Sequence, residues 1–136
     1  MHTVVHGERT LTDIDYARLS KLLNQQRPGH PAGLVDWLES AEVTSSCAAP
    51  SDLVTMNSRV EVVDVHTRHR QVLTICYPGD AEPAAGLISV LSPVGSSLLG
   101  LRAGDVARWL TPHGEGCAAQ ILAIQYQPEA TGDYTR

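Results

Sequence analysis

The octapeptide SSCAAPSD, residues 45–52, separates two stretches whose apolar side chains recur at different intervals. Before it, Leu11, Ile14, Leu19, Leu22 and Leu23 fall on one side of a 3.6-residue repeat. After it, RVEVVDV and RQVLTICY alternate with a period of two. The first spacing aligns side chains along a helix and the second places them on one face of a strand, so no single kind of element satisfies both. The class this predicts is α+β, with the small and turn-forming residues at 45–52 as the connector.

In the first part, TLTDIDYARLSKLLNQQ reads as a helix with Thr12 as its cap and Asp13 and Asp15 in the first turn, where the helix dipole favours acids. It should end at Pro28-Gly29. A second helix is expected from Pro31, a residue suited to a first helical position, through LVDWLESAEV, with Leu34, Trp37, Leu38 and Ala41 on one side. A loop as short as RPGHP makes the two arms antiparallel, a helical hairpin or short coiled coil of about 20–25 Å per arm. Such a hairpin supplies its own helical partner, so a monomer is expected.

In the second part, the two strand-like runs flank His66-Thr67-Arg68-His69 as a β-hairpin. The alternation slips between Val60/Val62 and Val63/Val65, which predicts a bulge there. GLISV, DVARWL and GCAAQILAIQYQ are further strands, giving an antiparallel sheet with one short helix. That helix lies in ISVLSPVGSSLLGLRAGD, residues 88–105. Ser92 is its N-cap, Pro93 takes the first position without losing a hydrogen bond, Gly95 allows close backbone approach, and Gly100 stops it in a left-handed conformation. Leu98, Leu99 and Val94 would press it onto the sheet. The segments are 1–46, 47–52 as linker, and 53–136.

With 136 residues, 43% of them hydrophobic and 18% charged, the chain can bury one modest core. A net charge of −5 and no dense basic stripe argue against independent duplex binding. No apolar run reaches the roughly 18 residues that cross a bilayer, and the start lacks a secretory pattern, so the expected address is the cytoplasm. The three cysteines, Cys47, Cys76 and Cys117, include no C-x-x-C pair and read as small buried thiols. Asp64, His66 and His69 could chelate a metal, but they lack a fourth ligand and sit among Arg68 and Arg70, so a polar turn is the expected reading. The Arg68-His69-Arg70 cluster reads as a solvated edge, with contact to nucleic acid or an acidic surface as the alternative. The glycines near Ser92 lack the Gly-Lys-Ser/Thr ending of a phosphate loop. Neither catalytic residues nor a cofactor site emerge.

The run ISVLSPVGSSLLGLRAGD, with Tyr77-Pro78 before it, resembles the C-terminal domain of the bacterial Gre/Rnk transcription factor family. VTMNSRV, YQPEATGDY and LTDIDYARLSKLL are similar to its shorter Rnk branch, so the resemblance covers nearly the whole chain. It implies an FKBP-like C-terminal fold, docking on RNA polymerase near the secondary channel with the helical hairpin pointing inward, competition with Gre factors, and regulation of nucleoside diphosphate kinase. The polymerase contact carries over onto Ser92 and Pro93 and, by adjacency, Leu91 and Val94. Relatives often have a polar residue where Leu91 stands.

Cleavage factors of this family need acidic side chains at the hairpin tip to help hold a second Mg²⁺ and its water. The tip here, Arg27, Pro28, Gly29 and His30 within NQQRPGHPAG, has no carboxylate. Polymerase binding without transcript cleavage is therefore expected. A scaffold for another cytoplasmic protein is the alternative. A peptidyl-prolyl isomerase, which the FKBP-like expectation raises, would need an aromatic-walled pocket, and the chain has no Phe, four Tyr and two Trp.

Overall fold

In a computed structural model, which describes residues 9–25, 38, 41–111 and 113–132, the chain opens with a short strand β1, Thr10–Thr12, running straight into helix α1, Asp13–Gln25. The expected cap is formed: the Asp15 N–H donates to Thr12 Oγ1 at 3.1 Å. Strand β2, Glu42–Thr44, then pairs parallel to β1, Thr10 opposite Glu42 and Thr12 opposite Thr44. Glu42 and Val43 were expected to close the second helical arm; they are strand instead, in the β-branched pair Val43-Thr44 that suits a ladder. The tip Arg27, Pro28, Gly29 and His30 and most of that arm lie outside the described residues.

Among the described residues, the expected antiparallel coiled coil is not shown. Besides the helical residue Leu38, the described residues form the helices α1 and α2, Pro93–Leu98, the two-stranded β1–β2 ladder and a curled five-stranded mixed sheet. The physical reason is where α1 puts its apolar side. Leu19 and Leu23, buried at 0% and 7% exposure, share one hydrophobic cluster with Leu38 and with Val54, Met56, Leu98 and Leu99 from beyond the 45–52 connector. That face packs on the body of the protein.

The sheet comprises β3, Arg59–Asp64; β4, Arg70–Cys76; β5, Leu87–Ser89; β6, Val106–Leu110; and β7, Gly116–Tyr126, in the order β5-β4-β3-β7-β6. The β3–β4 pair is the antiparallel hairpin that the alternation predicted, and β6 and β7, both expected as strands, are antiparallel too. The expectation of a wholly antiparallel sheet fails at β5, which runs parallel to β4 with Thr74 opposite Leu87 and Cys76 opposite Ser89. Between them, two tight 3₁₀ turns opened by Pro78 and Pro83 and a left-handed Gly86 at φ 84° carry the chain back to enter alongside β4 in the same direction. Nothing in this arrangement supports the FKBP-like expectation.

The irregularity expected near Val63/Val65 falls earlier and on the partner strand. Val62 faces Ile121 and Glu61 faces Ala123, while Val60 faces Ile124 and Arg59 faces Tyr126. Leu122 and Gln125 are thus extra residues in β7, each bending the strand and increasing its twist.

One face of the sheet carries Val60, Val62, Leu73, Ile75, Ala107, Ala119 and Ile121 into the core. The loop 53–58 seals its end. Leu53, Val54, Met56 and Ser58 are almost wholly buried, and their polar groups are matched. The Val54 N–H donates to Leu101 O at 2.8 Å, the Thr55 N–H to Ser58 Oγ at 2.9 Å, and Thr55 Oγ1 to Glu129 Oε1 at 2.7 Å. Gln127 Nε2 donates to the carbonyls of Pro50 and Leu53 at 2.7 and 2.8 Å, which fastens the end of β7 to the same loop.

Helix α1 is bolted to this loop by a buried carboxylate. Asp15 is 2% exposed, and its Oδ2 accepts the Met56 N–H at 3.0 Å. Burial pushes Asp15 up to about 6, helped by the nearby charge of Glu129 and opposed by the Met56 N–H and by Arg18. Because the folded value lies above the ordinary one, the stability this group contributes is complete below about pH 4 and is lost as pH rises through 6. Asp15→Asn keeps an acceptor for Met56 and removes the charge. It is expected to raise stability at pH 7.5 by on the order of 2 kcal/mol and to leave little difference from wild type at pH 4. Urea unfolding at the two pH values measures both.

Candidate interaction surface at the Ser-Pro helix

The run Leu91–Val94 begins where β5 ends. Val90, fully buried, anchors the exit by donating its N–H to Cys76 O at 2.9 Å. Ser89 then organises the turn: its hydroxyl accepts the Leu91 N–H at 3.0 Å, and its carbonyl accepts both the N–H and the hydroxyl of Ser92, at 3.0 and 2.7 Å. Ser92 Oγ in turn accepts the Gly95 N–H at 3.1 Å, so the predicted N-cap is formed. Its proton and its lone pair both hold the helix, which makes Ser92 a structural hydroxyl rather than a nucleophile. Ser96 and Ser97 donate back to Pro93 O and Val94 O at 3.2 and 2.7 Å.

Gly95 has the role its position predicted. A β-carbon there would lie 2.1 Å from Ser89 O, 2.9 Å from Ser89 C and 3.1 Å from Val90 Cα. With α2 this close, Leu98 and Leu99 reach the core while Pro93 stands exposed and Leu91, Ser92 and Val94 are half-buried. The structure therefore brings the four predicted contact residues together as a small, mostly apolar patch on a pinned backbone, with no titratable side chain in the run.

Beside this patch, a groove of about 130 Å³ opens between α2 and the sheet, with Val94, Leu98, Leu73 and Trp109 among its walls and Asp64 and His69 at its rim. Asp64 Oδ1 accepts the N–H groups of His66 and Thr67 at 2.8 and 2.9 Å, closing the β3–β4 turn. The hydrogen bonds from Thr67 and His66 hold its carboxyl below the ordinary value. The Asp64-His66-His69 set is thus a turn in which the acid serves backbone amides. Arg68 occupies a left-handed position at φ 64°, and exposed Arg70 lies 3.9 Å from Glu61. Of the cysteines, Cys76 is buried as expected; Cys117 is half-buried, and Cys47 is exposed, contrary to expectation.

Sequence reasoning missed Arg9. Its Nη1 donates to Ser96 O at 2.7 Å and Leu99 O at 3.2 Å, at the far end of α2, and burial lowers the guanidinium to about 10. Nothing in the local pattern around Arg9 points to carbonyls so distant in sequence.

With this geometry in view, residues 49–126 match the family described as Transcription elongation factor, GreA/GreB, C-term. The chain belongs to the GreA/GreB family. Across almost its whole length it is similar to the regulator of nucleoside diphosphate kinase of Escherichia coli (strain K12), 39% identical over 127 residues, or 91% of this chain and 93% of that protein. Transcription elongation factor GreA of Orientia tsutsugamushi (strain Boryong) is 34% identical over 93 residues, 68% of this chain and 58% of its own length. Among solved structures, the prokaryotic transcription elongation factor GreA/GreB from Nitrosomonas europaea superposes with a TM-score of 0.72 at 35% identity, covering 88% of this chain and 98% of that one. GreA factor homolog 1 (Gfh1) of Thermus thermophilus shares the fold, with a TM-score of 0.50 at 24% identity. The fold is GreA-like, which replaces the FKBP-like expectation. Among the described residues, no helix is long and apolar enough to cross a membrane.

The Ser89–Ser92–Gly95 arrangement carries its own test. Ser92→Ala is expected to cost about 1 kcal/mol, the usual loss of a helix cap. Gly95→Ala is expected to cost about 3 kcal/mol or more, because its methyl group would meet main chain that cannot rotate away. Denaturant unfolding of the two variants reads the difference.

Proposed function

We propose that the protein is a non-enzymatic transcription regulator that binds RNA polymerase near the secondary channel through the Ser-Pro end of α2. It competes there with Gre factors and does not stimulate transcript cleavage. Membership of the GreA/GreB family supports the partner. The observation that carries the reading is the patch itself: exposed Pro93 flanked by half-buried Leu91, Ser92 and Val94, on a helix start that cannot shift because Gly95 is wedged against Ser89. A rigid apolar patch suits docking, since little freedom is lost on binding.

Residues 53–136 are the docking unit in this proposal, and the N-terminal segment is the part directed toward the channel. The segment NQQRPGHPAG has no carboxylate with which to help hold a second Mg²⁺. Any influence on nucleoside diphosphate kinase, the target in the name of the Escherichia coli relative, then runs through transcription in the cytoplasm. Nucleic acid is reached only through the polymerase.

Retention of core RNA polymerase by immobilised protein tests the surface. Pro93→Ala and Leu91→Asp are each expected to weaken retention by about tenfold or more, and unimpaired retention by both moves the interface elsewhere. In stalled elongation complexes the protein is expected to release no short 3′ RNA fragments; their appearance would refute the non-cleaving reading.

A further inference from the structure

Helix α2 is six residues long, and the chain around it satisfies only part of its C-terminal end. The Leu99 N–H takes Gly95 O at 3.2 Å, and the Leu101 N–H takes Leu98 O at 3.2 Å. The carbonyls of Ser96 and Leu99 go to Arg9. A cation at this end also complements the helix dipole. The contact is broader than one side chain. The Thr10 N–H donates to Gly100 O at 3.1 Å, and a β-carbon on Gly100 would lie 3.2 Å from both Arg9 Cβ and Thr10 O. Two residues further along, Thr12 caps α1. The N-terminal helix and the docking helix are thus joined by a continuous, largely buried, hydrogen-bonded path through Arg9, Thr10 and Gly100.

We propose that Arg9 is a positioning residue for the polymerase-docking surface: by holding the carbonyls of Ser96 and Leu99, it couples the seating of β1 and α1 to the placement of α2. The proposal rests on the docking role of the Ser-Pro end given above. Its consequence is that the N-terminal segment and the docking patch meet the polymerase as one unit. Loosening the Arg9 contact lets each adopt its own orientation, and affinity falls although no residue of the patch has changed. Arg9 itself need not touch the polymerase.

The test uses the full chain with Arg9→Met, which keeps the length of the side chain and removes its donors, and Arg9→Lys, which keeps the charge. Gly100→Ala is the third variant; its methyl meets the same seat from the opposite side, and its left-handed φ of 85° adds strain at the end of α2, so it supports Arg9→Met without replacing it. Each is examined by amide chemical shifts and by affinity for core RNA polymerase, corrected for the folded fraction. Arg9→Met and Gly100→Ala are expected to shift amides of α2 and of α1 together and to weaken binding by about fivefold or more, a coupling of ordinary size. Arg9→Lys should recover part of both. Lower thermal stability with unchanged affinity of the folded protein would make Arg9 merely structural and overturn the proposal. So would shifts confined to residues next to Arg9. Should Pro93→Ala and Leu91→Asp bind as wild type does, the docking surface is wrong; the joint movement of α1 and α2 amides still decides the coupling by itself. If Arg9→Met does not fold, Arg9→Lys decides in its place: unchanged affinity together with unmoved α1 and α2 amides overturns the proposal.

Discussion

The backbone of α2 approaches the end of β5 so closely that only a residue without a side chain fits at Gly95, and much of the molecule is arranged around that contact. At this distance the Ser92 hydroxyl can reach back to the Ser89 carbonyl while capping Gly95. The same contact sets the height of α2 over the sheet, so Leu98 and Leu99 fill the core at 1% and 0% exposure. It also fixes where the helix ends, and there the N-terminal segment finds its acceptors. The apolar character of the exposed start follows too: the polar atoms of this turn already serve one another.

A second centre is the buried loop 53–58, where three parts of the chain meet. Asp15 arrives from α1, and Glu129 and Gln127 arrive from the turn after β7. A buried main-chain N–H requires an acceptor, and at Met56 that acceptor is a carboxylate whose own burial is unfavourable. Tyr77 shares the site; burial, then the charge of Asp15, pushes its phenol up to about 12, so it remains neutral. The outcome is a polar junction inside an apolar core, giving direction to contacts that hydrophobic packing alone would leave unspecific.

Much of this was legible in the sequence, wherever a local rule acts within a few residues. Thr12 before α1, Ser92-Pro93 opening α2 and Gly100 closing it each declare a helix boundary, and alternation revealed the β3–β4 hairpin. Three-residue strands such as β1 and β2 hold too few residues to show a period, so helical spacing was carried through Val43 into a strand. The direction of β5 depended on two proline turns whose combined geometry no pattern encodes. In the apolar run ILAIQY nothing marks Leu122 or Gln125 as the extra residue. Leu91–Val94 share one turn simply because they are consecutive. Arg9 was not legible, since it acts on carbonyls 87 and 90 positions away.

The parallel pairing of β1 with β2 and the seat of β1 at Gly100 also govern the order in which the chain can fold. Arg9 and Thr10 are made before their acceptors at Ser96, Leu99 and Gly100, which follow nearly 90 positions later. At ordinary rates of synthesis that is a delay on the order of 10 s. Through that interval α1 has no core on which to lay Leu19 and Leu23, and Asp15 lacks the Met56 amide until residue 56 is made. Such long-range closure slows folding and lengthens the exposure of apolar surface to chaperones and to other nascent chains. A segment made well before its acceptors is thus among the last to be locked in place.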